Sequence, residues 1–122
     1  MKYLAAALAL SLGSVALAEQ PDVFAPCVVR VAVANMHNSM APTLADGQDV
    51  ALAPAPFDGR LIHRVIEWRY LARKINVIHR VIEMHQCANG KWYAITQGDN
   101  NAAPDSIRVT EAEFRGVAVG VK

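Results

Sequence analysis

The stretch "NVIHRVIEMHQCANGKWYAITQ" (residues 76–97) limits the fold more than any other part of the chain. Residues 61–86 could be spelled as one long helix, but the side chains argue against it. "NVIHRVIE" carries four β-branched residues in eight, and "LIHRVIEW" three. Such side chains lose rotamer freedom in a helix and suit a pleated strand. "CANGK" then supplies an Asn-Gly pair, whose backbone readily takes the positive φ angles of a tight hairpin. The expectation is a strand through "VIEMHQ", a turn at Asn89-Gly90 and a return strand through "WYAITQ". With strict alternation, Ile78, Arg80, Ile82 and Met84 share one face, and Val77, His79, Val81 and Glu83 the other.

The remaining segments fit the same scheme. "VVRVAVA" (28–34) reads as a strand, and residues 35–48 as a polar loop with one helical turn, punctuated by Pro42 and Gly47. "DVALAPAPFDG" (49–59) begins as a strand and stops at Pro54 and Pro56. "LARKIN" (71–76) serves as a hairpin or loop, and "GDNNAAPDS" (98–106) is rich in turn formers. "IRV" and "FRGVAVGV" are short closing strands, separated by a helical turn at "TEAEF". The predicted fold is mostly β, with antiparallel strands and little helix. "HRVIE" occurs twice, at residues 63–67 and 79–83, but the flanking turns differ. Two strands of similar composition explain this better than a duplicated unit.

Residues 1–18 read as a secretory signal peptide, or a retained anchor. Lys2 precedes an apolar run that ends in Ala16-Leu17-Ala18, a small-x-small cleavage pattern. Residues 19–122 then form one small domain, exported to the periplasm or the extracellular space, or tethered on that side of a membrane. Without Lys2, the 12 basic residues become 11, against 11 acidic ones. That balance creates no field for nucleic acid. Cys27 and Cys87 can pair in an oxidising compartment. They lack the clustered spacing of a zinc or haem site.

Ser39 lies in "HNSMAPTL", a polar loop directly after a strand. A loop serine usually serves as a turn or cap residue. It becomes a nucleophile when a base stands within hydrogen-bond reach and a carboxylate orients that base. His37, His63, His79 and His85 are the candidate bases. Asp99 and Asp105 lie in a second polar loop, while turn duty explains Asp46 and Asp49. A metal site fits less well, because His79 and His85 are six residues apart on one strand and too distant to share an ion. Met40 suits a core anchor for the serine loop, and Pro42 would stiffen it. Trp68, Tyr70, Trp92 and Tyr93 fit a core better than a substrate groove.

Three blocks in order resemble the signal peptidase I family, in the branch that uses histidine as general base, within a signal peptidase/LexA-like superfamily. "NSMAPTL" (38–44) is similar to the serine box, "NVIHRVIE" (76–83) to the box that supplies the base, and "TQGDNNAAPDS" (96–106) to the acidic box. The resemblance implies a small signal peptidase-like β-fold and a serine endopeptidase that needs no cofactor. Its partner would be a peptide or preprotein, cut after small residues. It further implies Ser39 as nucleophile, His79 as base, and Asp99 or Asp105 as the carboxylate behind the imidazole, with the other holding the loop. The Ser39 amide would serve as oxyanion donor. Substrate would add as a β-strand along residues 28–34 or 77–83. The chain departs from the family pattern at Ala41, where Glu is usual, at Gly47-Gln48-Asp49, and at His63-Arg64, which replaces Gly-Asp. The alternative expectation is an exported binding or structural protein that retains the fold without activity.

Overall fold

In a computed structural model, the Asn-Gly segment folds as a hairpin. β4 (Ile75–Gln86) and β5 (Trp92–Gln97) pair antiparallel. Gly90 takes φ 86° in the turn, and the Asn89 side chain accepts from the Lys91 amide at 2.9 Å. The structure describes residues 30–33 and 37–121. The expected signal segment 1–18 and Cys27 lie outside them, so only Cys87 of the expected disulfide is described, exposed beyond the end of β4.

The other strands are β1 (Arg30–Val33), β2 (Asp49–Ala53), β3 (Val65–Tyr70), β6 (Arg108–Thr110) and β7 (Phe114–Val121). They form a seven-stranded sheet in the order β1-β2-β7-β3-β4-β5-β6. Every neighbouring pair is antiparallel. Among the described residues the one helical segment is a 3-10 turn, Gly59–Leu61, capped by the Asp58 side chain. No helix among them is long and apolar enough to cross a membrane.

The two "HRVIE" stretches lie side by side and run in opposite directions. Ile66 stands opposite His79, and Glu67 opposite Ile78. The ladder continues through His63 N–H to Val81 O and Val81 N–H to Arg64 O, both 2.8 Å. Equivalent letters nevertheless face opposite sides. Val65 joins the core of Met40, Leu44, Val50, Leu52, Ile78 and Ala118. Val81 joins Ile66, Trp68, Val77, Ala94 and Val117 in the larger core on the other face. The stretches thus share a strand composition but not a place in the fold.

One expectation fails in β4. The register shifts between Val81 and Glu83, where a bulge breaks the alternation. Met84 therefore packs against the core that contains Val77 and Val81, and not on the face of Ile78. The aromatic residues divide between core and rim. Trp68 is buried, whereas Tyr70, Trp92 and Phe114 are half-buried at its margin.

Met40 is 1% exposed and ties the loop preceding β2 into the smaller core. Met40→Ala is expected to cost about 2–5 kcal/mol in urea denaturation, and the volume-conserving Met40→Leu less than about 1.5 kcal/mol.

Candidate active site

Two loops meet at Ser39. The first spans residues 37–48. His37 and Asn38 adopt φ 51° and 63°, an uncommon left-handed pair. The Asn38 amide donates to both Asp46 carboxylate oxygens at 3.0 and 3.1 Å, which fixes the sharp bend before Ser39. Buried Met40 anchors the other side of the serine. The second loop follows β5 and lies directly on the first. Asn100 N–H donates to Ser39 O at 2.8 Å, and the Asn100 side-chain amide to Asn38 O at 3.1 Å. The Asp99 amide approaches Met40 Sδ at 3.4 Å. Gly98 permits this contact, because a Cβ there would stand 2.6 Å from Ser39 O.

β4 brings His79 to the junction. The imidazole is buried, with Nε2 3.1 Å from Ser39 Oγ and Nδ1 2.6 Å from Asp105 Oδ2. With Asp105 ionised, the network assigns the proton to Nδ1, which leaves Nε2 free to accept from the hydroxyl. Asp105 is itself held. Its amide donates to Thr96 O at 2.8 Å, and Thr96 Oγ1 donates to the same Oδ2 at 2.7 Å. Thr96 is fully buried, so its hydroxyl offers Asp105 a fixed donor.

Asp99 does not touch the imidazole. It forms a two-pronged pair with Arg80, Nε to Oδ1 at 2.9 Å and Nη2 to Oδ2 at 2.8 Å, and accepts from the Thr43 hydroxyl. Arg80 Nη1 donates onward to His63 O at 2.8 Å. This bridge links the serine loop, β4 and the entry to β3. Burial raises the Asp99 carboxyl, but the Arg80 and Thr43 hydrogen bonds, with the Arg80 charge, outweigh it and hold the group below the usual carboxylate range. A depressed folded value stabilises the protein above the unfolded carboxylate pKa of about 3.9, and that stability is lost as pH falls through the folded value. Melting temperatures between pH 7 and pH 2 should therefore fall less steeply on the acid side for Asp99→Asn than for the parent chain.

The other histidines lie apart from this junction. His63 is exposed at the entry to β3 with φ 68°, the left-handed region that favours glycine. His85 contacts Glu83 at 2.6 Å and stacks on Tyr93 with centroids 5.0 Å apart. His37 is exposed in the serine loop. Among the described residues, no group of three or more His, Cys, Asp or Glu side chains could hold a metal.

The sequence reading did not assign roles to Thr96, Arg80, Thr43 or Gly98. Three signals were present. Arg80 directly follows the candidate base, Thr96 and Gly98 open the acidic block, and Thr43 lies within the serine block.

No protein-family model matches the chain. Individual relatives do. The signal peptidase complex catalytic subunit SEC11 of Eremothecium gossypii is 44% identical over 41 residues, covering 34% of this chain and 25% of the relative. SEC11 of Tuber melanosporum is 28% identical over 91 residues, covering 69% and 47%. A human protein named SEC11B after the same subunit is 33% identical over 70 residues, covering 57% and 42%. The chain thus spans less than half the length of these curated relatives. It is distantly similar to signal peptidase catalytic subunits, and its antiparallel β fold is consistent with that similarity.

Proposed function

We propose that this chain is a serine endopeptidase of signal-peptidase type, with Ser39 as nucleophile, His79 as general base and Asp105 as the residue that orients the imidazole. The run of contacts from Ser39 Oγ through both imidazole nitrogens to Asp105 carries this reading. In the first step His79 Nε2 takes the hydroxyl proton while Oγ attacks the scissile carbonyl. His79, now charged and stabilised by Asp105, then protonates the leaving amine. Among the described residues the Ser39 amide has no hydrogen-bond partner, which suits a donor to the developing oxyanion. Asp99 would hold the two loops in register through Arg80 and Thr43.

The strand ladder offers a place for substrate. β4 pairs with β3 from Ile75 onward, but its ladder to β5 begins only at Arg80. The half of β4 that leads to His79 therefore has a strand neighbour on one side among the described residues. An extended peptide added there would pass the imidazole, with main-chain hydrogen bonds supplying affinity. β1 offers a second edge at the end of the sheet.

The test is incubation of the purified protein with preproteins and small-residue peptides, beside Ser39→Ala. Cleavage by the parent chain alone supports the reading. Equal cleavage by both, or none by a folded parent chain, overturns it.

A further inference from the structure

The turn between β3 and β4 presents both charge and apolar surface to solvent. Residues 69–75, "RYLARKI", hold three cations and no carboxylate, in a chain whose 12 basic and 11 acidic residues nearly balance. Tyr70 pairs with Ile75 across the hairpin, and Arg73 N–H closes the turn on Tyr70 O at 3.2 Å. Residues 71–76 are all exposed. Leu71 and Ile75 are 54% and 47% exposed, and among the described residues only Val121 is another large aliphatic side chain so open to solvent.

The ladder makes this tip two-sided. Directly opposed residues share a face, so the pair Tyr70–Ile75 continues the row of Trp68–Val77 outward from the larger core. Arg69 and Asn76 oppose each other on the reverse face, with Arg69 Nη1 donating to Asn76 Oδ1 at 3.2 Å. The apolar row thus runs past the end of the core and stops in solvent at Ile75 and Leu71. Arg73 and Lys74 lie in the turn beside it. Among the described residues neither forms an ion pair, and Arg73 lies 6.0 Å from the Tyr70 ring centroid. Glu113 accepts from the Arg69 amide through its carbonyl, but its carboxylate is taken by Thr110.

Shape and chemistry select the partner. A nucleic acid would neutralise the cations but offer no apolar surface to Leu71 and Ile75. A protein would need a preformed pocket to take a convex tip. A bilayer interface accepts side chains of any shape. Aliphatic groups enter the acyl boundary, while long cations stay at the level of the headgroups. Anionic lipid adds attraction for each Lys or Arg held near its surface.

We propose that the β3–β4 tip is a docking point for an anionic lipid bilayer, with Leu71 and Ile75 entering the interface and Arg73 and Lys74 meeting the headgroups. The contact is separate from residues 1–18, and it stands whether or not the chain cleaves peptides. Ile75 and His79 are four residues apart on β4, so docking holds the imidazole within about 14 Å of the inserted tip along the strand.

The test uses the full chain with Leu71→Trp, an exposed turn position where a new indole reports its own surroundings. The parent chain, with Trp68 and Trp92, supplies the background emission. On vesicles of phosphatidylcholine mixed with phosphatidylglycerol, the added emission should move to the blue and be quenched by lipids brominated on the acyl chain. Insertion should weaken at least about tenfold on phosphatidylcholine alone, and by a similar factor when Arg73→Gln and Lys74→Gln are added. Ile75→Ser should weaken it in the same sense. Ala72→Trp, at the adjacent exposed position, should reproduce the shift and keeps the test open if Leu71→Trp fails to fold. A protein bound only through residues 1–18 would sediment with vesicles and leave the probe emission unchanged, which overturns the proposal. Equal insertion into neutral vesicles, or insertion that survives loss of both cations, also overturns it. So does a full shift with soluble glycerol phosphate or polyglutamate, which would assign the tip to a free anion or an acidic protein.

Discussion

His79→Ala is expected to reduce kcat for peptide cleavage by about a thousandfold or more, while His63→Ala stays within about threefold of the parent chain. The two histidines head identical five-residue stretches, so composition cannot predict this difference. It follows from position. His79 Nε2 lies 3.1 Å from Ser39 Oγ, and removing the ring leaves the hydroxyl without a base. His63 contributes only its backbone, through an amide bonded to Val81 O and a carbonyl that accepts from Arg80. Both contacts survive truncation of its side chain. His63→Gly should likewise retain activity and gain up to about 1 kcal/mol in chemical denaturation, since glycine occupies φ 68° without strain. Peptide cleavage rates and urea melts of the three variants check both halves of this expectation.

Asp105→Asn is expected to lower kcat by about 10³–10⁴-fold, with KM little changed. The amide retains the shape of the carboxylate but can present an N–H to Nδ1. The ring would then carry its proton on Nε2, where it cannot accept from Ser39. Loss of the negative charge also destabilises the imidazolium formed during the reaction. Thr96→Val should follow the same direction with about a tenfold loss, the scale of one buried hydrogen bond to the carboxylate. Asp99→Asn should behave differently. It breaks the paired contact with Arg80, so lower stability at neutral pH accompanies a smaller kinetic loss. Steady-state kinetics and thermal melts on one set of proteins distinguish the two carboxylates.

Much of this arrangement was legible in the sequence. The Asn-Gly turn and the β-branched run located the β4–β5 hairpin, and the resemblance of three blocks in order to the signal peptidase I family pointed to Ser39, His79 and the acidic loop. The choice between Asp99 and Asp105 was not legible, because both lie in one turn-rich loop and either can reach β4 on spacing alone. The loop path decides it. Asp105 is drawn in by Thr96, while Asp99 is drawn outward to Arg80. Strict alternation also misplaced Met84, since a bulge depends on the partner strand and not on β4 alone. The role of Gly98 is invisible locally as well. Its need for space comes from Ser39 O, 59 positions earlier in the chain.

The central claim is that Ser39 and His79 act as one unit. Its most direct test is kcat/KM for a small-residue peptide in the parent chain, Ser39→Ala, His79→Ala and the double variant. The account predicts that each single replacement removes nearly the whole rate and that the double variant is no slower than either. Losses that multiply in the double variant would contradict it, because the two side chains would then contribute independently.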